Sequence, residues 1–559
     1  MRAMVGLVLL LLLWGPTPAS AQPAPGPPIP LIPPEPPPSA MPPAPVPPLP
    51  ASPALTAPSP SPPKPITGKP LPSLASGWSG PAAPEHALPA DFWRDTPRAL
   101  AEILLARLPD TTSMALQSLE RRLLLSPAAA PQGPDAPGLS LPALRAAALL
   151  RLGEIDAARA VLAAMPDSKQ NAGLRLAVAA DALAGQRDRA CATVARAIRA
   201  DQDAFWQREL IACQALDGKT EEARLGLQLL AEEKLPAGKV LAAAVDAVGA
   251  PPAAIARLDH PTPLLLRLAV KARLSLDPRL IATLSPDLAL ALALDKAAPP
   301  AIRLAAAERA ARLGALPPAR LAALYTRLAG TSGDDPAFAQ ARRFVAIAKA
   351  AGPGDQIARI IAFARDFAGP GGDGLTLAAR LVLPQLRAVA PDPALAGAAA
   401  GVARLALAAG DMDLARRWSA LSSGAERRKL DFVLALAASD KGSTGNTGAQ
   451  DVGPPALRIA LLAALGRPIP AQAWPGLPAR AWSVGAPPGP PLAPWLALSA
   501  TPEKQIGATV LASLLFAGAT GKLSHDPLVL NAAIRGIERA GLDVAARRIA
   551  VEAALAADL

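Results

Sequence analysis

Aromatic and metal-binding residues are scarce in this 559-residue chain, which has 3% aromatic residues, one tyrosine, three histidines and two cysteines. A β-sandwich or a parallel nucleotide-binding sheet is built largely on aromatic and β-branched residues, so the composition argues against a mainly β fold. The few histidines and cysteines also leave little material for zinc fingers, metal clusters or acid–base networks. We therefore expect no metal, no cofactor and no enzyme.

The three histidines and the one glycine-rich loop show no catalytic or ligand pattern. His86, His260 and His525 are scattered, without a His-x-x-x-His pair, and are interpreted as surface residues. The segment GSTGNTG at residues 442–448 is not followed by the Lys-Ser or Lys-Thr of a phosphate-binding loop. It is predicted to be part of a flexible loop over residues 440–455.

The first 21 residues have the pattern of a secretory signal peptide. Arg2 is followed by an apolar run from Met4 to Trp14, then by helix-breaking glycine and prolines, and by Ala-Ser-Ala ending at Ala21. The run is about half as long as the ~20 residues that a membrane-spanning helix needs. We predict cleavage after Ala21, export to the bacterial periplasm and no later transmembrane segment; retention of the segment as an anchor is the alternative.

Proline is concentrated near the N-terminus, where residues 23–90 hold 27 of the 67 prolines. Each proline fixes φ and removes a backbone donor, so the segment is typical of extended polyproline II mixed with coil. We predict a disordered linker over residues 22–90. It would hold a folded domain away from an attachment point or offer proline-rich ligands to a partner; an unselected low-complexity leader is the simpler alternative.

From about Asp91 onward, alanine and leucine recur at helical spacing. Many of the interruptions have one form: a glycine, four residues and an alanine. The first glycines of this form, from residue 153 to residues 185, 218 and 249, follow one another at 32, 33 and 31 residues, a period typical of stacked helix pairs. The instances are Gly153/Ala158-Arg159, Gly185/Ala190, Gly218/Ala223-Arg224, Gly249/Ala254, Gly314/Ala319-Arg320, Gly374/Ala379-Arg380, Gly410/Ala415-Arg416 and Gly541/Ala546-Arg547.

In LLRLGEIDAARAVLAAMP, ALAGQRDRACATVARAIRAD and ALDGKTEEARLGLQLLAEE the chain resembles the tetratricopeptide repeat (TPR), a unit of about 34 residues. The similarity is best over residues 143–257 and extends less regularly to 420, without the large aromatic positions and the closing proline of the family. The resemblance implies an array of helix pairs that binds other proteins along a concave face. Since such an array sums contacts between neighbouring units, we expect no long-range closure.

The two cysteines are placed to meet across a helical hairpin. The midpoint between Cys191 and Cys213 is residue 202, in the polar Asp-Gln-Asp break between two helical stretches, and residues equidistant from a hairpin turn face each other. In an oxidising compartment they are predicted to form a disulfide. Two buried free thiols are the alternative; a redox-active pair is disfavoured because the spacing is not Cys-x-x-Cys.

The chain carries a formal net charge of +11. Such a field favours acidic partners, anionic lipid or cell-wall polymers, although arginine spread over solvent-facing helix positions is the simpler interpretation. Nucleic acid is not an expected partner, because no aromatic residues interleave a basic stripe. A Pro/Trp-rich segment at residues 467–502 contains Trp474, Trp482 and Trp495, which either pack in the protein's own groove or contact a partner.

Together these features predict an all-α protein, a right-handed superhelical α-solenoid of stacked antiparallel helix pairs preceded by a disordered proline-rich region. The expected organisation is a signal peptide (1–21), a linker (22–90), TPR-like repeats (91–439), a flexible loop (440–455) and a C-terminal helical region (456–559) with the Pro/Trp insertion. The expected function is a periplasmic scaffold that binds one or more proteins of the bacterial envelope. The alternative is a cell-wall-associated enzyme, or an accessory subunit of a peptidoglycan-processing complex.

Overall fold

The computed structural model describes residues 87–134, 138, 140–165, 170–247, 254–255, 258–330, 333–369, 372–440, 455–469 and 504–559. All of them belong to one compact unit, Lys69–Leu559. The predicted signal peptide, nearly all of the linker, His86, the loop at 441–454 and the three tryptophans of the Pro/Trp segment lie outside the described residues. Leu88, near the end of the predicted linker, is buried, and its N–H donates to Ser126 Oγ at 2.8 Å.

The described residues form 24 α-helices and almost no strand, which confirms the all-α class of stacked helices. Two short 3-10 helices, Pro336–Phe338 and Pro393–Leu395, and the two-residue parallel strands β1 (Ala254–Ile255) and β2 (Ser275–Leu276) complete the described elements. The helices are α1 (Arg98–Ala106), α2 (Met114–Leu125), α3 (Leu141–Arg151), α4 (Ile155–Ala163), α5 (Gln170–Leu183), α6 (Arg187–Ala197), α7 (Ala204–Leu216), α8 (Thr220–Glu232), α9 (Lys239–Asp246), α10 (Pro263–Lys271), α11 (Pro278–Thr283), α12 (Pro286–Leu294), α13 (Pro300–Arg312), α14 (Pro318–Leu328), α15 (Ala339–Ile347), α16 (Pro353–Ala368), α17 (Leu375–Arg387), α18 (Ala396–Ala409), α19 (Met412–Ser419), α20 (Gly424–Ala437), α21 (Pro455–Ala464), α22 (Ile506–Ala517), α23 (Pro527–Arg539) and α24 (Asp543–Ala556).

The glycine turns of the repeat pattern join the two helices of a pair, as predicted. At five of them the glycine has a left-handed φ between 73° and 88°, and the alanine five residues later is completely buried. Glycine adopts this conformation without a steric penalty, and the small alanine lets the second helix approach the first. The five are Gly153/Ala158, Gly185/Ala190, Gly218/Ala223, Gly410/Ala415 and Gly541/Ala546.

Two instances of the pattern were predicted wrongly, and a third differs in its turn. Ala254 lies in β1 rather than in a second helix, because the chain is extended where it pairs with β2. Ala319 is exposed, because residues 315–317 follow Gly314 before α14 begins and bring Leu321 to the buried position instead. At Gly374 φ is −94°, although Ala379 is buried as expected.

The array does not remain a simple row of neighbouring pairs. Helix α10 contacts α5 and α7, and α12 contacts α3 and α5, so two later helices cover part of the first helices of the early pairs. Less of these early helices is therefore open to a partner than a simple row of pairs would leave.

Helices near the start of the described chain also contact helices near its end, so the expectation of no long-range closure is wrong. Helix α1 packs on α22, α2 packs on α22 and α24, and α20 packs on α24. Backbone hydrogen bonds support this closure: Gly507 N–H donates to Phe92 O at 2.8 Å, and Thr112 N–H donates to Gly521 O at 2.9 Å. The apolar faces of the end helices are thereby buried against each other rather than left to water.

Candidate binding sites

Cys191 and Cys213 form the disulfide that the sequence predicts, with Cα atoms 5.7 Å apart. They lie on α6 and α7, the two helices joined by residues 198–203, which include the polar Asp-Gln-Asp break. Cys213 is buried and Cys191 is half-buried. The bond joins two successive helix pairs and has a structural rather than an exposed, reactive setting.

Glu552 on α24 connects the end of the chain to the beginning of α2. Its carboxylate accepts a hydrogen bond from the backbone N–H of Ala115 at 2.8 Å. This N–H is one of the first-turn donors of α2, which have no partner within the helix itself. Burial raises the pKa of Glu552, while hydrogen bonds from Ser113 and Ala115 and the charge of Arg380 lower it in part.

An arginine-lined cavity, the "arginine cavity", lies beside this contact and has a volume of about 260 Å³. Arg380 projects from α17, and Arg547 and Arg548 project from α24. The other walls come from α2, α18, α19, α20 and the rest of α24 and are mostly apolar. The apolar lining includes Leu407, Met412, Val544, Val551 and Leu555.

The three arginines of the cavity lack carboxylate partners. Arg380, Arg547 and Arg548 make no hydrogen bond and no ion pair within the part of the chain that the structure describes. Burial lowers the pKa of Arg380, the charge of Glu552 raises it, and the like charges of Arg548 and Arg121 lower it further. The positive charge of this cavity is therefore not balanced by the protein itself.

A second crevice shows an arginine cluster that is ion-paired within the same fold. Arg159 holds the same place in its repeat, directly after the buried alanine, as Arg380 and Arg547 hold in theirs. The Nε atoms of Arg159 and Arg189 lie 3.1 Å and 3.2 Å from the buried carboxylate of Asp181. The arginine cavity has no counterpart of Asp181, because its one lining carboxylate, Glu552, is bonded to α2.

Helix α8 carries an exposed apolar pair on its outer face. Leu225 is 57% exposed and Leu229 is 48% exposed, and their i, i+4 spacing puts them on the same side of the helix. Exposed acidic residues lie around this "α8 leucine pair". They are Glu221 and Glu222 at the start of the helix and Glu232 and Glu233 at its end.

Two buried carboxylates, Glu209 and Glu120, lie outside the arginine cavity and the α8 leucine pair. Burial raises the pKa of Glu209 on α7 to about 7, although a hydrogen bond from Thr262 and the charge of Arg208 both act to lower it. Its Oε2 atom has no hydrogen-bond partner among the described residues. Burial likewise raises the pKa of Glu120 on α2 to about 7, although the charge of Arg151 opposes the shift.

The remaining candidate residues do not come together into one site. His260 is exposed with a left-handed φ of 49°, and His525 borders a small crevice with Asp373 and Glu552. Within the described ranges no group of three or more His, Cys, Asp or Glu residues is placed to hold a metal ion. None of the helices that the structure describes is both long and apolar enough to cross a membrane.

The sequence interpretation missed the arginine cavity, although part of its signal was present. Arg380 and Arg547 both follow the buried alanine of a repeat, so their presence on the second helix of a pair was predictable. Their convergence was not, because it depends on the contacts of α24 with α2, α18 and α20.

The fold and its sites define a protein of stacked helix pairs with many adjacent pairs, compatible with an α-solenoid. No family model matches the chain, and neither a curated protein nor a solved structure does so.

Proposed function

We propose that this protein is an exported, TPR-like helical scaffold that binds a protein of the bacterial envelope. The observation that carries the proposal is the α8 leucine pair. Contiguous apolar side chains on the outside of a helical repeat, bordered by charged residues, are typical of sites that bind another protein.

Export to the periplasm is supported by two independent features. The N-terminal 21 residues have the charge, apolar run and small-residue pattern of a signal peptide. The Cys191–Cys213 disulfide is of a kind that forms and persists in an oxidising compartment.

The charges near the α8 leucine pair favour a partner segment with apolar residues flanked by lysine or arginine. Within α8 there are three glutamates and one arginine, in a chain whose overall net charge is +11. Arg224 pairs with Glu221, whereas Glu232 forms no ion pair within the described part of the chain. An amphipathic helix with basic ends would bury both leucines and pair with the free carboxylate.

Site-specific photo-crosslinking in the native envelope tests this proposal. A photoreactive residue at position 225 of the full chain is expected to capture one reproducible protein, through a segment with basic residues beside apolar ones. The same residue at position 320, which is also exposed, is the control and is expected not to capture it. Equal capture at both positions would contradict the proposal. Peptidoglycan turnover by the purified chain, without a reproducible partner, would favour the enzyme alternative.

A further inference from the structure

We propose that the arginine cavity binds an oxyanion, a phosphate or carboxylate group, that is attached to an apolar group. This inference is independent of the α8 leucine pair, which lies on a different helix. It rests on the unbalanced charge of the cavity and on the composition of its walls.

The charge argument starts from the three arginines and their neighbours. Guanidinium groups form paired, charge-assisted hydrogen bonds with phosphate and carboxylate oxygens. Arg380 and Arg547 are half-buried and Arg548 is exposed, so each can reach the cavity without a large change in its environment. Their donors are not used by the described residues, in contrast to those of Arg159 and Arg189 around Asp181.

Glu552 offsets at most one of the three arginine charges, through its effect on Arg380. Its carboxylate is hydrogen-bonded to the start of α2 and forms no ion pair with Arg380 in the described part of the chain. Beyond the cavity, the charge of Arg548 acts on Arg122, and that of Arg547 acts on Arg467. Arg122 and Arg467 therefore add positive charge near the cavity, although Asp440 offsets part of the charge of Arg467.

The walls indicate that the anion carries an apolar group. Leu407, Val551 and Leu555 line the cavity and are buried, and Val544, which also lines it, is 53% exposed. A volume of about 260 Å³ exceeds the space that one phosphate ion fills. The remainder suits a short hydrocarbon group, whose burial adds to the binding energy.

Two probes separate these contributions in titrations of the full chain. Octyl phosphate is expected to bind saturably and more tightly than inorganic phosphate. The substitution Val544→Ser is expected to weaken octyl phosphate only. Equal affinity for the two probes would overturn the apolar part of the proposal.

Arginine variants test the site itself. The double variant Arg380→Gln/Arg548→Gln is expected to weaken both probes roughly tenfold or more, because charge-assisted hydrogen bonds are lost. The control Arg320→Gln/Arg428→Gln removes the same charge from exposed positions and is expected to leave both affinities unchanged.

A melting measurement without anion separates binding from folding. Since Arg380 and Arg548 repel each other, the cavity variant is expected to melt no lower than the wild-type chain. The proposal would be overturned if neither probe bound saturably to the wild-type chain. It would also be overturned if the cavity and control variants weakened the binding of the probes equally.

Discussion

The carboxylate of Glu552 accepts a hydrogen bond from the backbone N–H of Ala115, across a separation of 437 residues. This contact satisfies a donor at the start of α2 and places α24 against it. Both residues also line the arginine cavity, so the closure of the chain and the candidate anion site share Ala115 and Glu552.

The substitution Glu552→Ala is expected to destabilise the contact between α2 and α24. It removes a buried carboxylate that accepts a helix-terminal hydrogen bond, a loss of about 2 kcal/mol. Hydrogen exchange should show faster exchange of the Ala115 amide, and the melting temperature should fall. Glu426→Ala, at an exposed position on α20, serves as the control. Unchanged protection of α2 would mean that the contact does not hold the helix.

Removal of the disulfide is expected to lower the stability of the α6–α7 region. The bond closes a loop between residues 22 positions apart, for which the chain-entropy estimate is about 3 kcal/mol. The double variant Cys191→Ala/Cys213→Ala should melt at a lower temperature than the oxidised wild-type chain. Addition of a reductant should lower the melting temperature of the wild type and leave the variant unaffected. A reductant effect on both proteins would point to another cause.

Glu209 is expected to make stability depend on pH. Burial raises its pKa in the folded protein from 4.5 to about 7, so both states are protonated below pH 4.5. Between these values the unfolded chain releases the proton and the folded protein retains it. Stability is therefore lost as the pH rises from about 4.5 to 7, by about 3 kcal/mol at most.

The variant Glu209→Gln isolates this effect, because its side chain stays neutral. The difference in unfolding free energy between the variant and the wild type should grow in favour of the variant from pH 4.5 to 7 and remain constant above. Other raised carboxylates such as Glu120 act equally in both proteins. A difference that does not change with pH would show that Glu209 does not titrate in this range.

Two glycine turns with the same backbone conformation should differ in their tolerance of alanine. A Cβ atom on Gly153 would overlap the carbonyl oxygen of Ala315, whereas one on Gly410 would meet no described atom within 4 Å. Gly410→Ala should cost about 1–2 kcal/mol for the left-handed conformation alone. Gly153→Ala should cost more, because backbone must also move. Urea denaturation measures both, and equal losses would contradict the packing of this turn against Ala315.

The helical class, the glycine turns and the disulfide could be predicted because they depend on local sequence. Gly153 and Ala158 lie within one helix pair, and Cys191 and Cys213 lie across one hairpin. In both cases the positions of the two residues relative to one turn determine which side chains face each other.

Closure and the arginine cavity could not be predicted, since they depend on contacts between distant parts of the chain. No local pattern distinguishes Glu552 from a solvent-exposed glutamate before its helix packs against α2. Arg159 and Arg380 follow the same local pattern, yet only Arg159 faces a buried aspartate. Ala319 is exposed because three residues separate Gly314 from the start of α14. The fixed spacing of five residues from glycine to a buried alanine does not allow for such a change in turn length.

The affinity of the crosslinked partner tests the scaffold function most directly. Calorimetric titration of the purified partner should give binding roughly tenfold or more weaker for Leu225→Glu/Leu229→Glu than for the wild-type chain, because two apolar anchors are lost. The control Ile103→Glu/Leu528→Glu changes two other exposed apolar residues and should bind like the wild type. Equal affinity of the wild type and the α8 variant would contradict the proposed function of this surface.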